Sequence, residues 1–219
     1  MWTLTGRRRD PLRYRRRKPF AGIVALSVFV LAAVAVWTTT LQRAADATAL
    51  VACPPPAAGT APQALDALPY NALDGVAPAP AAGSPVTVLN GSGQRGSAGL
   101  AAGELAQLGF PQASPPADDP LYPTGDLRCF GQIRFGPAGA AAARTLSLVV
   151  PCAQLVRDHR TDSSVDLALG NDFSDVTPNP AARRALQLLA GAPSGRPAVG
   201  TAPAALTPAL LTGARRGQC

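Results

Sequence analysis

The sequence contains few of the residues from which metal sites and catalytic centres are usually built. Its 219 residues include one histidine and four cysteines, and no two of the cysteines form a C-x-x-C pair. Because zinc sites take cysteine and histidine ligands at short spacings, we predict no metal site. Aromatic residues make up only 5% of the chain. We therefore expect one folded unit of roughly 100 residues, flanked by loosely ordered segments.

Net positive charge is confined to the N-terminal end of the chain. The net charge is +7, and residues 1–19 supply all of it with eight basic residues and one aspartate. The remaining residues carry twelve basic and twelve acidic side chains. A nucleic-acid-binding domain carries its own positive surface. The sequence therefore predicts a neutral folded part that does not bind nucleic acid.

A long uncharged segment follows the basic tail. Residues 19–42 carry no charge, and most of them are apolar. As a helix, this segment would be about 36 Å long, enough to cross a hydrocarbon core of about 30 Å. We predict a transmembrane helix over residues 20–41, with residues 1–19 cytoplasmic and the C-terminal domain outside the cell membrane. Cleavage as a signal peptide and lipidation at Cys53 remain alternatives.

The cysteines agree with this topology. Cys53, Cys129, Cys152 and Cys219 all follow the predicted span. An even number of cysteines outside the cytoplasm predicts two disulfide bonds. Four cysteines permit three pairings, and the sequence does not select one. We favour Cys129–Cys152, because both residues flank short elements of one region, and this choice leaves Cys53–Cys219 as the second bond.

Composition also predicts the domain boundaries. Residues 42–85 are rich in proline and alanine, which is typical of a semi-extended, poorly ordered stalk. Residues 86–191 contain the helical and alternating patterns of a folded domain. Residues 192–219 are again rich in alanine, proline and glycine up to the last cysteine. We expect irregular structure there, with one short helix starting near Pro208.

The patterns in the folded region predict an α/β domain with the element order β-α-β-β-α-β-β-α. Such an order gives two layers, with helices over a mixed sheet. The strands are expected at residues 86–90, 111–114, 132–135, 154–157 and 165–169. Alternation in the third strand predicts that Ile133 and Phe135 face the core. By the same pattern, Gln132 and Arg134 should face outward. Separately, Ser97 is the expected N-cap of the first helix.

A glycine-rich turn joins the first strand to the first helix. Its sequence, GSGQRG from Gly91 to Gly96, matches the dinucleotide-binding pattern G-x-G-x-x-G. That motif also requires a long doubly wound sheet and an acidic residue at the end of the next strand. Asp118 and Asp119 lie instead in a loop rich in proline and aspartate, so we predict no cofactor. The favoured interpretation is that the glycines permit a sharp reversal of the chain.

The alternative is that this turn holds a ligand or partner. Free N–H groups at a helix N-terminus attract small anions, and Arg95 would supply a nearby positive charge. The candidate residues for such a site are Asn90, Gly91, Ser92, Gly93, Arg95 and Gly96.

The turn and its flanks resemble the LytR C-terminal domain family. The signature of that family, V-x-V-L-N-G-(S/T)-G followed by a small-residue helix ending in G-F, corresponds here to VTVLNGSG from Val86 and to LGF ending at Phe110. The later strands match QIRFG and VDLALG. The full layout resembles envelope integrity proteins of high-GC Gram-positive bacteria. The resemblance implies a role in cell envelope integrity, an unidentified envelope component or protein as partner, and no established enzymatic activity.

Catalytic residues are scarce. The lone histidine, His159, lies in the segment RDHRTDSS, close to Asp158, Asp162, Ser163 and Ser164. A catalytic triad requires convergence in space and an oxyanion hole, so we interpret this segment as a surface loop and predict no enzyme. Two alternatives stay open: an enzyme or accessory factor that acts on cell-wall polymers, and a module that signals envelope stress.

Overall fold

An apolar helix, α1, runs from Phe20 to Leu50. The computed structural model describes residues 20–60, 65–191 and 205–216. The stretch Ile23–Thr40 has a mean hydropathy of 2.2, and none of it is buried. By length and composition, α1 can cross a membrane, as predicted, although it ends at Leu50 rather than at residue 41. The chain divides between Gln42 and Arg43 into two units, and the second one contains the sheet.

Among the described residues, one mixed sheet has the strand order β1-β5-β4-β6-β2-β3. The strands are β1 (Asp66–Ala67), β2 (Val86–Asn90), β3 (Ala117–Asp118), β4 (Gly131–Phe135), β5 (Gln154–Arg157) and β6 (Val165–Leu169). The pairs β2–β6 and β4–β5 are parallel, and β4 runs antiparallel to β6. The carboxyl ends of β2 and β6 therefore lie at one end of the sheet, and those of β4 and β5 at the other.

Helices cover one face of this sheet. The helices α2 (Ser97–Gln107) and α3 (Ala140–Val149) contribute to the main core together with inward side chains of β2, β4, β5 and β6. The helices α4 (Pro180–Ala190) and α5 (Pro208–Ala214) form a second apolar cluster with Leu148 of α3. The predicted α/β class is confirmed, and so is the short helix starting at Pro208.

One asparagine joins α4 to α5. The Oδ1 atom of Asn179 accepts a hydrogen bond from the Ala182 amide (2.9 Å) and so caps α4. Its Nδ2 atom donates to the carbonyl oxygens of Gly213 (3.1 Å) and Ala214 (3.0 Å) at the end of α5. The same side chain therefore fixes the end of one helix to the start of the other.

The second face of the sheet is buried as well. Gln132 and Arg134 lie on it and are only 4% and 2% exposed, so the prediction that they face outward into solvent is wrong. A small apolar cluster that includes Tyr122 and Leu127 covers this face, with Cys53 packed against it. Alternation along β4 separates the two faces, but it does not reveal that distant loops cover the second one.

An ion pair occupies the centre of that covered face. Arg134 donates hydrogen bonds to both carboxylate oxygens of Asp119, over 2.9 and 2.7 Å. Its Nε atom donates to Gln132 (3.0 Å), which in turn donates to Gln154 (3.2 Å). The guanidinium carbon lies 5.7 Å from the centre of the Tyr122 ring. Since both charges are buried, each depends on the other for compensation.

A disulfide bond closes the same face. It joins Cys53 to Cys129, with their Cα atoms 5.1 Å apart, and the favoured pairing of Cys129 with Cys152 is therefore wrong. Cys152 is also disulfide-bonded, and Cys219 lies outside the described residues. The pairing could not be read from sequence because the two bonded cysteines are 76 positions apart. They meet only where the chain after α1 crosses the covered face.

Part of the predicted stalk belongs to the folded domain. Strand β1 pairs antiparallel with β5, and the Leu68 amide donates to the Leu155 carbonyl (2.8 Å). Leu73 and Ala81 are buried in the main core. The prediction of a poorly ordered stalk over residues 42–85 is therefore wrong for the part between β1 and β2. The proline content limits pairing in this segment, but single apolar side chains still dock on the core.

The strand expected at residues 111–114 is also misplaced. Gln112 forms only an isolated bridge with Val86, and the strand that pairs with β2 is β3, whose partners are Leu89↔Ala117 and Asn90↔Asp118. Two prolines, Pro115 and Pro116, separate the expected strand from the observed one. Because proline has no N–H group to donate, the two prolines interrupt the pairing with β2 between the bridge at Gln112 and β3.

Substitution of Asp119 tests the buried ion pair. Asp119→Asn would leave Arg134 charged and without a counterion, so we expect the free energy of unfolding to fall by about 3 to 5 kcal/mol. Urea unfolding of the full chain in a nonionic detergent measures the change. Asp126 is exposed in the same loop, and Asp126→Asn should change stability by less than about 0.5 kcal/mol. Equal effects of the two substitutions would contradict this role of the pair.

Candidate functional site

The glycine-rich turn lies at the end of the sheet where β2 and β6 finish. The Gly91 amide donates to the Leu169 carbonyl (2.9 Å), and the Gly91 carbonyl accepts from the Leu127 amide (3.0 Å). A Cβ atom on Gly91 would lie 3.0 Å from the Leu169 oxygen and 3.1 Å from the Leu127 side chain. The first glycine of the motif is thus required by close packing between a strand and a loop.

Asn90 organises the turn from inside. Its Oδ1 atom accepts hydrogen bonds from the Ser92 amide (3.1 Å), the Ser92 hydroxyl (2.8 Å) and the Ser97 hydroxyl (3.1 Å). Its Nδ2 atom donates to the Gln94 carbonyl (3.0 Å). The polar atoms of this buried side chain are therefore used within the turn itself.

A second turn packs against the middle glycine. Gly93 and Gly125 both have positive φ angles, +70° and +68°. A Cβ atom on Gly125 would lie 2.6 Å from Gly93 backbone atoms. With its amide nitrogen facing the two turns, Asn171 donates to the carbonyls of Gly125 (3.2 Å) and Ser92 (3.1 Å). In dinucleotide sites the middle glycine admits a pyrophosphate, whereas here the backbone of the protein's own loop approaches it.

The end of the turn differs from the expected cap. The N-cap of α2 is Gly96, with φ +80°, and not Ser97. Ser97 lies in the first helical turn, and its hydroxyl bonds back to the Gln94 carbonyl (2.9 Å). Arg95 is exposed. The geometry accounts for the glycines by internal contacts, and the binding of a partner by this turn stays a prediction.

A surface cavity lies at the opposite end of the sheet, beyond the carboxyl ends of β4 and β5. Its volume is about 350 Å³. The residues that line it are Pro137, Ala138, Arg157, Asp158, His159, Arg160 and Thr161. Ligand sites in open α/β sheets commonly lie outside the carboxyl ends of strands. The sequence predicts a strand up to Arg157 and a surface loop after it, and nothing local shows that these residues adjoin Pro137.

Carboxylates hold one of the cavity arginines in place. Arg160 donates to Asp158 (2.8 Å), to Asp166 (2.5 Å) and to the Ser164 hydroxyl (3.1 Å). Burial alone lowers the pKa of Arg160, but the hydrogen bonds to Asp166 and Asp158 raise it above its ordinary value. Arg160 therefore supplies a fixed wall of the cavity rather than a free charge.

Arg157 and His159 supply the side-chain N–H groups that remain available in the cavity. Both are exposed, and neither side chain has a hydrogen bond or ion pair within the described part of the chain. An Arg and a His side chain offer N–H donors to a polar or anionic group. The cavity can therefore recognise such a group at its rim.

The expected loop does not assemble a catalytic triad. Asp162 accepts hydrogen bonds from the amide (2.8 Å) and the hydroxyl of Ser164, and these bonds lower the pKa of Asp162. No hydrogen bond joins His159 to a serine or an aspartate among the described residues. The same residues contain no group of three or more His, Cys, Asp or Glu side chains placed to hold a metal ion.

Two glycine substitutions test the reason for the turn. Gly125→Ala places a methyl group against Gly93 and forces a side chain to a positive φ angle, so we expect a loss of about 2 to 4 kcal/mol in unfolding free energy. Gly99 on α2 has open space around it and no positive φ, so Gly99→Ala should stabilise the protein by about 0.5 to 1 kcal/mol. Thermal unfolding compares the two variants, and a neutral Gly125→Ala would refute the close approach.

Comparison with known families places the glycine turn within a recognised domain. Residues 84–173 match the family model LytR_C, which is described as LytR cell envelope-related transcriptional attenuator. The matched region begins just before β2 and ends just after β6. It therefore contains the turn, the cavity and five of the six strands.

Comparison with individual proteins covers a larger share of the chain. The chain is 44% identical over 169 residues to the cell envelope integrity protein Cei of Mycobacterium tuberculosis, covering 76% of this chain and 78% of that protein. It also resembles the crystal structure of the soluble domain of a conserved hypothetical secreted protein from Mycobacterium marinum. That match has a TM-score of 0.59 and 38% identity, and it covers 70% of this chain and 97% of the other. The chain therefore belongs to the family of the cell envelope integrity protein Cei and contains a LytR C-terminal domain.

Proposed function

We propose that this protein is held in the cell membrane by α1 and supports the cell envelope by binding an envelope component or another envelope protein outside the cytoplasm. The observation that carries the anchoring is the apolar surface of α1. Its large side chains are exposed, with Phe29 at 75% and Trp37 at 68%. Water-soluble proteins rarely expose so large a continuous apolar surface, whereas a bilayer would cover it.

The disulfide and the tail charge support the orientation. The bond between Cys53 and Cys129 begins only three residues after α1, and disulfides persist in oxidising compartments outside the cytoplasm. The eight basic residues in the sequence before α1 favour a cytoplasmic N-terminus by the positive-inside rule. Both features favour the same side for the folded domain.

The cavity beyond β4 and β5 supports the binding role. It is concave, it is lined in part by apolar atoms of Pro137 and Ala138, and it carries the available donors of Arg157 and His159. Concave surfaces with a few polar groups are the usual form of small-ligand sites. Neither the family description nor the name of the relative mentions an enzymatic activity, and this agrees with binding rather than catalysis.

Thiol labelling tests the orientation. We expect a membrane-impermeant maleimide to label Ala190→Cys in intact cells, because Ala190 is exposed on the domain. The reagent should not label Thr5→Cys in the basic tail until the membrane is permeabilised. Labelling of Thr5→Cys in intact cells, or protection of Ala190→Cys, would contradict the proposed topology.

Photo-crosslinking in living cells tests the binding. A photoreactive amino acid in place of Ala138, which is exposed and lines the cavity, should capture an envelope molecule. The same amino acid in place of Ala106, which is exposed on α2, is the matched control and should capture at least about tenfold less. Mass spectrometry identifies the product. Equal capture at both positions, or capture at neither, would overturn the proposal that this cavity binds.

A further inference from the structure

Two buried arginines that do not line the cavity share one carboxylate. Arg144 lies on α3, and Arg215 follows α5 directly. The Nη1 atoms of both donate to the same oxygen of Asp74, over 2.9 and 3.3 Å. The arginine side chains are 2% and 4% exposed, whereas the Asp74 side chain is 55% exposed. Among the described residues, two buried positive charges therefore face a single negative charge that is partly in solvent.

Three N–H donors of this pair have no acceptor. The Nε atom of Arg144 and the Nε and Nη2 atoms of Arg215 are buried and lack a hydrogen-bond partner among the described residues. Burial lowers the pKa of Arg144; the charge of Asp74 raises it, and the charge of Arg215 lowers it again. Proteins leave few buried polar groups unpaired, so three unpaired donors in one cluster require an explanation.

The surrounding contacts hold Arg215 in this position. Its guanidinium carbon lies 3.7 Å from the centre of the Tyr70 ring. The Tyr70 hydroxyl donates to the Arg215 carbonyl (2.6 Å), and the Arg215 side chain donates to the Tyr70 carbonyl. The preceding residues of α5 are fixed by Asn179. The guanidinium is therefore pre-organised, and its unpaired donors do not reflect a free side chain.

We propose that Arg144 and Arg215 form a binding site for a phosphate group, and that Asp74 occupies part of this site when the ligand is absent. Guanidinium groups present planar pairs of donors that match phosphate oxygens. A phosphate would balance the excess positive charge and accept the unpaired N–H groups. Asp74 is the solvent-exposed member of the cluster, so the ligand reaches the arginines by displacing it.

The experiment uses the full chain in a nonionic detergent and inorganic phosphate as the probe, with ionic strength held constant by sodium chloride. Assuming a dissociation constant on the order of 1 mM, 10 mM phosphate should raise Tm by about 3 to 6 °C. Phosphate also raises Tm without binding, because it is excluded from the protein surface. Line broadening in ³¹P NMR therefore serves as the direct measure of binding. Wild-type protein that shows neither effect overturns the proposal, whatever the variants do.

Substitutions assign the effect to the site. Arg144→Gln and Arg215→Gln should each weaken phosphate binding at least about tenfold, because each removes a charged donor. Asp74→Asn removes the carboxylate charge that competes with phosphate for the two arginines, so it should strengthen phosphate binding several-fold. Arg184 is exposed on the neighbouring helix α4, and Arg184→Gln should leave the affinity unchanged. A loss with Arg184→Gln equal to that with Arg144→Gln would reduce the effect to general surface charge and refute the site.

A second probe identifies the source of the phosphate. If glycerol 3-phosphate binds as well as inorganic phosphate, the site accepts a phosphate that is attached to a larger molecule. If only inorganic phosphate binds, the site accepts the free ion and excludes a phosphate that is attached to a larger molecule. Both results support the proposal. Failure here leaves the envelope-binding proposal untouched, because crosslinking at Ala138 examines a surface that shares no residue with this cluster.

Discussion

The covering of the second sheet face by loops depends on the buried ion pair of Arg134 and Asp119. Each of the two side chains neutralises the charge of the other at the centre of this face. An unpaired charge there would require contact with solvent, so the pair allows loops to cover the face. Tyr122 extends this arrangement, because its ring lies against Arg134 and its hydroxyl donates to the Pro54 carbonyl (2.6 Å). The disulfide from Cys53 then fixes the same segment covalently. A sheet with helices on one face thus acquires a polar, covalently closed second layer.

The antiparallel junction between β4 and β6 gives the two ends of the sheet different properties. At the end where β2 and β6 finish, Gly91, Gly93 and Gly125 let two turns pack into each other. That end is filled by the protein's own backbone. At the other end, the residues after β4 and the loop after β5 together line a cavity. In the motif that looked most like a ligand site, Gly91 and Gly93 pack against other segments of the chain, and the concave surface lies where the sequence has no motif.

Much of the fold could be predicted from local patterns. The strand bounds of β2, β5 and β6 match the alternating or β-branched runs, and Asn179 with Pro180 begins α4 as their side chains favour. The misplacements occurred where a distant contact decided the outcome. At the start of α2, Gly96 is the N-cap, and the Ser97 hydroxyl bonds to Asn90 and Gln94 instead of capping the helix.

The sequence by itself determined the apolar helix, the order of the elements from β2 to α4 and the membership of a family, because each follows from side chains that are neighbours along the chain. The tertiary structure alone decided the partner of Cys129, the burial of Gln132 and Arg134, and the meeting of Arg144 with Arg215 across 71 positions. These outcomes depend on which remote segments share space in the folded chain. Burial and electrostatic pairing act over distances in space, so they become visible only when the chain has closed on itself.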